Sequence, residues 1–329
     1  MKHNILITGG AGYVGAVLSG KLAQLGHQVK VYDLFLYGKE VFDQTPKKNL
    51  ELIQADIRDT DRLAQNLKGV DTVFHLACIS NDPSFELNPQ LGKSINLDCF
   101  RPMVETCKKM GVKRFIYASS SSVYGVKEEP NVHEEVTLEP LTDYSKFKAD
   151  CEKILAEYTS DNFETVTIRP ATVCGYSPRQ RLDVIVNILT NHAYHNKKIK
   201  ILGGEQLRPN IHIDDMVDLY IQLLDEDKKR INGKIFNAGY ENYKVKEIAG
   251  MVKNVFGLDV QIVTEPTDDN RSYHVCSKKI ARELGFVPKR TIEDAVKDLK
   301  RALDQGLLPD SMNNKKYFNI KTMKDLALI

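Results

Sequence analysis

The chain has 329 residues, and 46 Lys and Arg against 44 Asp and Glu leave a formal charge of +2. Its apolar share of 42% is ordinary for a globular chain with a large core, which excludes disordered and collagen-like classes. A charge this balanced leaves no electrostatic footprint for nucleic acid.

No apolar run approaches the roughly 18 residues that a bilayer-spanning helix needs. Met1-Lys2-His3-Asn4 leads straight into a glycine-rich motif and not into a signal-peptide core, so a cytoplasmic protein with no membrane partner is expected. The six cysteines (78, 99, 107, 151, 174 and 276) form no CxxC pair and read as buried, reduced thiols.

From the N-terminus, short β-branched runs alternate with amphipathic stretches, the rhythm of βαβ units around a parallel sheet. The predicted strands are Asn4 to Thr8, Gln28 to Asp33, Leu50 to Gln54, Thr72 to His75, Arg114 to Ala118 and Glu164 to Arg169. Helices are predicted between them at Gly12 to Leu25, Asp61 to Leu67, Pro89 to Met110 and Asp143 to Tyr158, with Leu34 to Asn49 left as a long loop. This is an α/β chain whose first 170 residues make a doubly wound parallel sheet. After Arg169-Pro170 the rhythm changes. Helices near Leu182 to His195, Asp214 to Leu224, Val245 to Phe256 and Ile292 to Leu303 mix with isolated strand signals. Residues 171–329 are therefore expected to form a smaller mixed α/β domain that binds substrate, with some segments returning to the first sheet.

The first predicted strand runs into Gly9-Gly10-Ala11-Gly12-Tyr13-Val14-Gly15 and then into a helix. Gly9 suits a tight turn, Gly12 lets the backbone approach a diphosphate, and Gly15 lets helix and strand pack closely. The free N–H groups and dipole of the helix N-terminus favour phosphate there. Asp33 ends the second strand, eighteen residues past Gly15. Its carboxylate can accept the adenosine ribose hydroxyls and would repel a 2′-phosphate, which favours NAD over NADP. An ordinary glycine turn is the default for a lone motif, but strand, helix and acid are all in place here.

Tyr144 and Lys148 stand four apart at the start of a predicted helix, so both side chains share one face. Such a pair is usually mere surface. Here the serines of Ala118-Ser119-Ser120-Ser121-Ser122-Val123-Tyr124-Gly125 follow the fifth strand and present hydroxyls at the carboxyl edge of the sheet, where these folds bind ligands. A phenol with an ordinary pKa of about 10 is a poor base at pH 7. A neighbouring ammonium and a positive nicotinamide ring would favour its phenolate.

Together these residues resemble the extended short-chain dehydrogenase/reductases of the nucleotide-sugar epimerase and dehydratase group, similar to UDP-galactose 4-epimerases. The resemblance also rests on Asp56-Ile57-Arg58-Asp59, Phe74-His75-Leu76-Ala77, Asn96, Arg169-Pro170 and Arg208-Pro209-Asn210-Ile211-His212-Ile213-Asp214-Asp215. It implies a Rossmann sheet, NAD as cofactor, a nucleotide-diphosphate sugar as substrate, and a homodimer formed through the helices Pro89 to Met110 and Asp143 to Tyr158. It also implies that Asp56 and Ile57 contact adenine, that Leu76 and Ala77 border the diphosphate and ribose, and that Asn96 touches substrate. By family spacing the catalytic hydroxyl falls on Ser120, with Ser119, Ser121 and Ser122 as lesser partners. Tyr144 would take the proton of a sugar hydroxyl, commonly at C4, and Lys148 would hold the nicotinamide ribose.

Family dehydratases carry Thr-Asp-Glu where this chain has Ser120-Ser121-Ser122, and serines supply neither the acid nor the base that elimination needs. The resemblance therefore points to a 4-epimerase first. A 4-dehydrogenase comes second, a 4,6-dehydratase is disfavoured, and the rival from another class is a catalytically silent NAD-sensing regulator. Thr172 replaces the asparagine frequent in epimerases, and Arg181 replaces an amide. Both resemble a branch that includes GDP-heptose 4-dehydrogenases. Arg181, Arg208 and Arg271 are expected to hold the substrate's phosphates, since forked guanidinium groups match them. Leu182 joins them as a substrate neighbour, although with Val184, Ile185, Ile188 and Leu189 it also belongs to an apolar face of the kind that fills cores. His192 and His195 lack a third ligand, so no metal is expected. His75 and His212 read as structural, and Cys78 and Cys174 as packing.

Overall fold

The computed structural model describes residues 2–80, 82–267 and 272–326. In chain order it forms β1 (Asn4–Thr8), α1 (Tyr13–Gln24), β2 (Gln28–Asp33), β3 (Leu50–Gln54), α2 (Thr60–Asn66), β4 (Thr72–His75), α3 (Asp82–Phe85) and α4 (Pro89–Lys93). There follow α5 (Phe100–Lys109), β5 (Arg114–Ala118), α6 (Asp143–Tyr158), β6 (Glu164–Pro170), β7 (Thr172–Cys174), α7 (Ile185–Asn196), β8 (Lys198–Leu202) and β9 (Leu207–His212). The remainder is α8 (Ile213–Asp225), α9 (Lys228–Ile231), β10 (Lys234–Ala238), β11 (Glu241–Lys244), α10 (Val245–Phe256), β12 (Gln261–Glu265), α11 (Lys278–Leu284), α12 (Ile292–Asp304) and α13 (Asn319–Asp325).

Among the described residues the main sheet has seven strands in the order β10-β6-β5-β4-β1-β2-β3, every neighbour parallel. All six predicted strands are present. The seventh, β10, comes from beyond residue 170 and pairs with β6 from Lys234 opposite Val166 to Ala238 opposite Pro170. Consecutive residues of β1 are buried on opposite faces, as a sheet covered on both sides requires. Ile5 and Ile7 pack with Leu18 and Leu22 of α1 and with Leu219 and Leu223 of α8. Leu6 packs with Tyr32, Val73 and Phe115 against Met103 of α5 and Leu155 of α6. The strand order reverses at β1, and the crevice beyond the carboxyl ends of β1 and β4 is where such sheets bind ligands.

A second lobe holds the three-stranded sheet β11-β9-β7 and the parallel pair β12-β8. Its own core joins α7, α10 and α12 through Val186, Leu189, Ile248, Val252 and Val296.

Two expectations are corrected in detail. The helix predicted over Pro89 to Met110 is interrupted by a π-helical turn, Ser94–Asp98, between α4 and α5. Pro102 has no N–H to give to the carbonyl four residues back, and the inserted residue lets a new helix begin at Phe100, where Pro102 sits in the first turn. The Leu34 to Asn49 stretch is not an open loop. It carries short 3-10 turns at Glu40–Phe42 and Lys47–Asn49, and Phe42, 1% exposed, packs into the α1 side of the core.

His75 closes β4, buried among Phe100, Phe115 and Tyr117, with Nδ1 paired to Thr8 Oγ1 at 2.7 Å. Burial, reinforced by the Lys148 charge, pushes its pKa from 6.5 down to about 3. Between those values the unfolded chain binds a proton that the folded chain refuses, so the stability His75 contributes is full above pH 6.5 and is lost as pH falls toward 3. Relative to His75→Gln, the wild type should lose about 2 kcal/mol between pH 7.5 and pH 5 in urea unfolding. A gap between the two proteins that is constant with pH would refute this role.

Candidate active site

A cleft of about 590 Å³ opens at the crevice between β1 and β4. Its lining includes Gly9, Gly12, Tyr13, Val14, Gly15, Asp33, Asp56, Ile57, Leu76 and Ala77, the residues expected to hold a dinucleotide. Gly9 adopts φ +71°, and a Cβ on it would lie 2.6 Å from Ala77 N. On Gly15 a Cβ would meet Gly9 O at 2.2 Å. The turn is thus as close to its neighbours as bare backbone allows. Helix α1 starts at this turn with no side-chain cap and no acid in its first turn, which leaves its N–H groups available to an anion.

Asp33 turns its carboxylate back onto the turn, accepting Ala11 N–H at 2.9 Å and Phe35 N–H at 2.8 Å. Burial raises its pKa, and these two donors oppose the rise. Asp56 is forked by Arg58, with Nη2 to Oδ2 at 2.6 Å, and this hydrogen bond holds its pKa below the ordinary value. Tyr13 differs from its neighbours. Its phenol donates to Gly175 O at 2.7 Å and accepts from Asn187 Nδ2 at 3.0 Å, so the side chain ties the glycine turn to the second lobe.

The predicted trio lies at the junction of β5 and α6. Ser120 and Tyr144 line the cleft, and Lys148 lies behind them, 4% exposed. The Lys148 ammonium donates to Ala118 O at 2.7 Å and sits 5.1 Å from the Tyr117 ring centre and 5.9 Å from that of Tyr144. Ser120 Oγ accepts Ser122 N–H at 3.1 Å and pairs with Ser122 Oγ at 2.8 Å. Ser145 Oγ donates to Ser122 Oγ at 2.9 Å and pairs with Thr142 Oγ1, the N-cap of α6. A line of hydroxyls therefore joins Ser120 to the helix that carries Tyr144.

One turn beyond Lys148, Glu152 continues the same helix face. Its carboxylate accepts Arg169 Nη2 at 2.6 Å, Arg169 Nε at 3.0 Å and Ser119 Oγ at 2.5 Å, with both partners of the ion pair buried. Sequence reasoning missed this anchor, although the i, i+4, i+8 spacing of Tyr144, Lys148 and Glu152 was available to find it.

Of the residues expected to meet substrate, Thr172, Arg181 and Arg208 line the cleft. Arg181 Nε donates to Asp183 at 2.9 Å and its Nη1 to Ser80 Oγ at 3.4 Å. Arg208 lies 5.5 Å over the Tyr273 ring, and Arg271 falls outside the described residues. Two of the expected substrate neighbours stand back from the cleft. Asn96 braces the wall from behind, its amide exchanging hydrogen bonds with Ile79 N–H (2.8 Å) and Ile79 O (2.9 Å), and is not among the lining residues. Leu182 is 1% exposed and is likewise absent from the lining, because its apolar side chain belongs with the core. Arg179, which sequence reasoning passed over, does line it.

Among the described residues, His212, Asp214 and Asp298 bring potential metal-ligand atoms within 4.8 Å of one another. His212 Nδ1 accepts Asp214 N–H, so in the neutral ring the proton sits on Nε2, which faces Asp298 at 3.3 Å. That tautomer offers a metal no lone pair.

Residues 5–239 match the model of the NAD dependent epimerase/dehydratase family. The chain belongs to this family. It is similar to a UDP-glucose 4-epimerase of Lactobacillus helveticus, 27% identical over 316 residues that cover 89% of this chain and 94% of the relative. A UDP-N-acetyl-alpha-D-glucosaminuronate decarboxylase of Bacillus cytotoxicus is 28% identical over 277 residues, covering 81% of this chain and 84% of the relative. Among solved structures, UDP-glucose 4-epimerase of Thermotoga maritima with UDP-glucose superposes with a TM-score of 0.82 at 25% identity, covering 92% of this chain and 99% of that one.

The family's NAD fits the cradle: a glycine turn with no room for Cβ atoms, an uncapped helix N-terminus and a carboxylate at the end of β2. Gly15→Ala would force the turn apart, and a titration following NADH fluorescence should find its Kd raised roughly tenfold or more. An unchanged Kd would contradict the close approach.

Proposed function

We propose that this protein is an NAD-dependent nucleotide-sugar 4-epimerase acting through reversible oxidation of the sugar's C4 hydroxyl. The observation that carries this reading is the state of the cleft's carboxylates. Among the described residues three of them line it, and each is already engaged: Asp33 by two backbone N–H groups, Asp56 by Arg58, and Asp183 by Arg181 and Asn319 N–H. Elimination of water needs a free acid and a free base beside the sugar. Oxidation of an alcohol and reduction of the ketone need only the Ser120, Tyr144 and Lys148 set.

Tyr144 takes the proton of the sugar hydroxyl, and Ser120 hydrogen-bonds the same oxygen so that its lone pairs are aimed. The line of hydroxyls through Ser122 and Ser145 fixes the Ser120 rotamer. Lys148 places a positive charge behind the phenol ring, where it stabilises the phenolate formed when Tyr144 is deprotonated. When bound, NAD supplies a reversible two-electron acceptor for the sugar carbon. On the return step Tyr144 gives the proton back to the ketone oxygen. Arg181 and Arg208 hold the substrate's diphosphate, and the cleft's breadth lets the ketosugar present its opposite face. Thr172 and Arg181 in the lining favour a second reading, a 4-dehydrogenase that releases the ketone.

Tyr144→Phe should lower turnover by at least about 10³-fold while NADH binds within about threefold of wild type. Products from UDP-, GDP-, dTDP- and CDP-sugars followed by NMR, with absorbance read at the reduced-nicotinamide band, separate the outcomes. Interconversion of epimers without accumulated NADH supports the epimerase, and NADH matching released ketone supports the dehydrogenase. Full activity in Tyr144→Phe would refute both.

A further inference from the structure

The segment after β7 lies directly on the glycine turn. Ser177 Oγ donates to Tyr13 O at 2.7 Å and accepts Arg179 N–H at 3.2 Å, which carries Arg179 into the same cleft as the N-terminus of α1. The Arg179 guanidinium is 4% exposed and stacks 3.5 Å from the centre of the Tyr37 ring. Nη2 donates to Asn319 Oδ1 at 2.5 Å, and Nε and Nη1 are buried with no hydrogen-bond partner. The neighbouring carboxylate, Asp183, is taken by Arg181 Nε and Asn319 N–H. Burial pushes the pKa of Arg179 down, opposed by its neighbours Tyr37 and Asp183. A buried charge with idle donors is costly unless an anion meets it. In this cleft the uncapped helix and the bare glycine backbone favour phosphate, and each idle N–H of the guanidinium is a charge-assisted donor suited to a phosphate oxygen.

Asn319 is the first residue of α13, and every arm of its side chain is used. Oδ1 accepts from Arg179 and from Tyr37 Oη at 3.1 Å, and Nδ2 donates to Ser80 Oγ at 2.9 Å. The Lys316–Glu40 ion pair adds a second tie between this C-terminal segment and the loop beside Asp33.

We infer that Arg179 closes on the diphosphate of the bound dinucleotide from the side opposite the glycine turn, and that Asn319, by gripping Arg179, couples docking of the C-terminal helix to retention of the cofactor. The inference rests on the family's NAD and not on which sugar reaction follows, so a failed epimerase assay leaves it standing.

The probe is NADH on the full-length chain. In wild type, NADH should slow tryptic cleavage at Lys315, Lys316 and Lys321. Arg179→Met should raise the NADH Kd about 10- to 100-fold, and Arg179→Lys should fall between that variant and wild type. Asn319→Ala should speed release of pre-bound NADH about tenfold in a chase with excess NAD, and NADH should no longer protect the three lysines. Calorimetry with UDP provides the control arm. If Arg179→Met weakens UDP and spares NADH, the guanidinium serves the nucleotide sugar and the inference is wrong. If Arg179→Met fails to fold by circular dichroism, wild-type NADH release from both Arg179→Lys and Asn319→Ala overturns it equally.

Discussion

The buried ion pair between Glu152 and Arg169 fixes where helix α6 meets the main sheet, and the position of the reactive groups follows from it. Glu152 lies two turns past Tyr144 and one past Lys148 on the same face, while Arg169 comes from the carboxyl end of β6. Ser119 shares the same carboxylate, so the residue next to Ser120 and the helix bearing Tyr144 are tied to one group. Arg169 also reaches Tyr124 Oη at 2.7 Å and Glu134 O at 3.2 Å, which draws in the chain between β5 and α6. Such a pair adds little net stability over a well-packed apolar substitute, but removing one partner strands a buried charge at a penalty of about 3–5 kcal/mol. Its value here is geometric: the hydroxyl and the phenol cannot drift apart without breaking it.

The cleft in front of that anchor is electrostatically divided. On the dinucleotide side the donors are backbone N–H groups, with Asp33 and Asp56 each held by its own partners. On the opposite wall the donors are guanidinium groups, Arg179, Arg181 and Arg208. Lys148 is withdrawn behind the tyrosine, where its charge acts on the phenol ring and not on the phosphates. The proposed nucleotide-sugar substrate would match this division, with its diphosphate directed to Arg181 and Arg208, Arg179 kept for the dinucleotide, and the reacting alcohol directed to the hydroxyls.

Much of this was legible in the sequence, for reasons that differ by element. The six strands were readable because a sheet covered on both faces needs continuous apolar runs, such as Ile5-Leu6-Ile7, bounded by turn residues. Helix α6 was readable to the residue because Thr142 caps it and Asp143 opens its first turn. The π-helical turn was not, since nothing in a 3.6-residue periodicity marks the single residue that Pro102 displaces. Strand β10 was obscured by lying far along the chain from the β6 edge it completes. In the site, the glycine turn, Asp33, Ser120 and Tyr144 carried local signatures. Chemical type does not reveal which way the side chains of Asn96 and Leu182 point: the amide turns to Ile79 and the leucine to the core. Arg179 and Asn319 are 140 positions apart, and no local pattern predicts that they meet.

The return of α8 and β10 to the main sheet has a mechanical consequence. The chain passes between the two lobes at 170–172, 212–213 and 238–241, again between β12 and α11, and at 284–292, so they are stitched together and not joined by a single swivel. A clamshell motion of the kind seen where two bodies share one connection would have to shear several strands at once. Access to the crevice would therefore depend on adjustments at its rim and not on one lobe swinging away from the other.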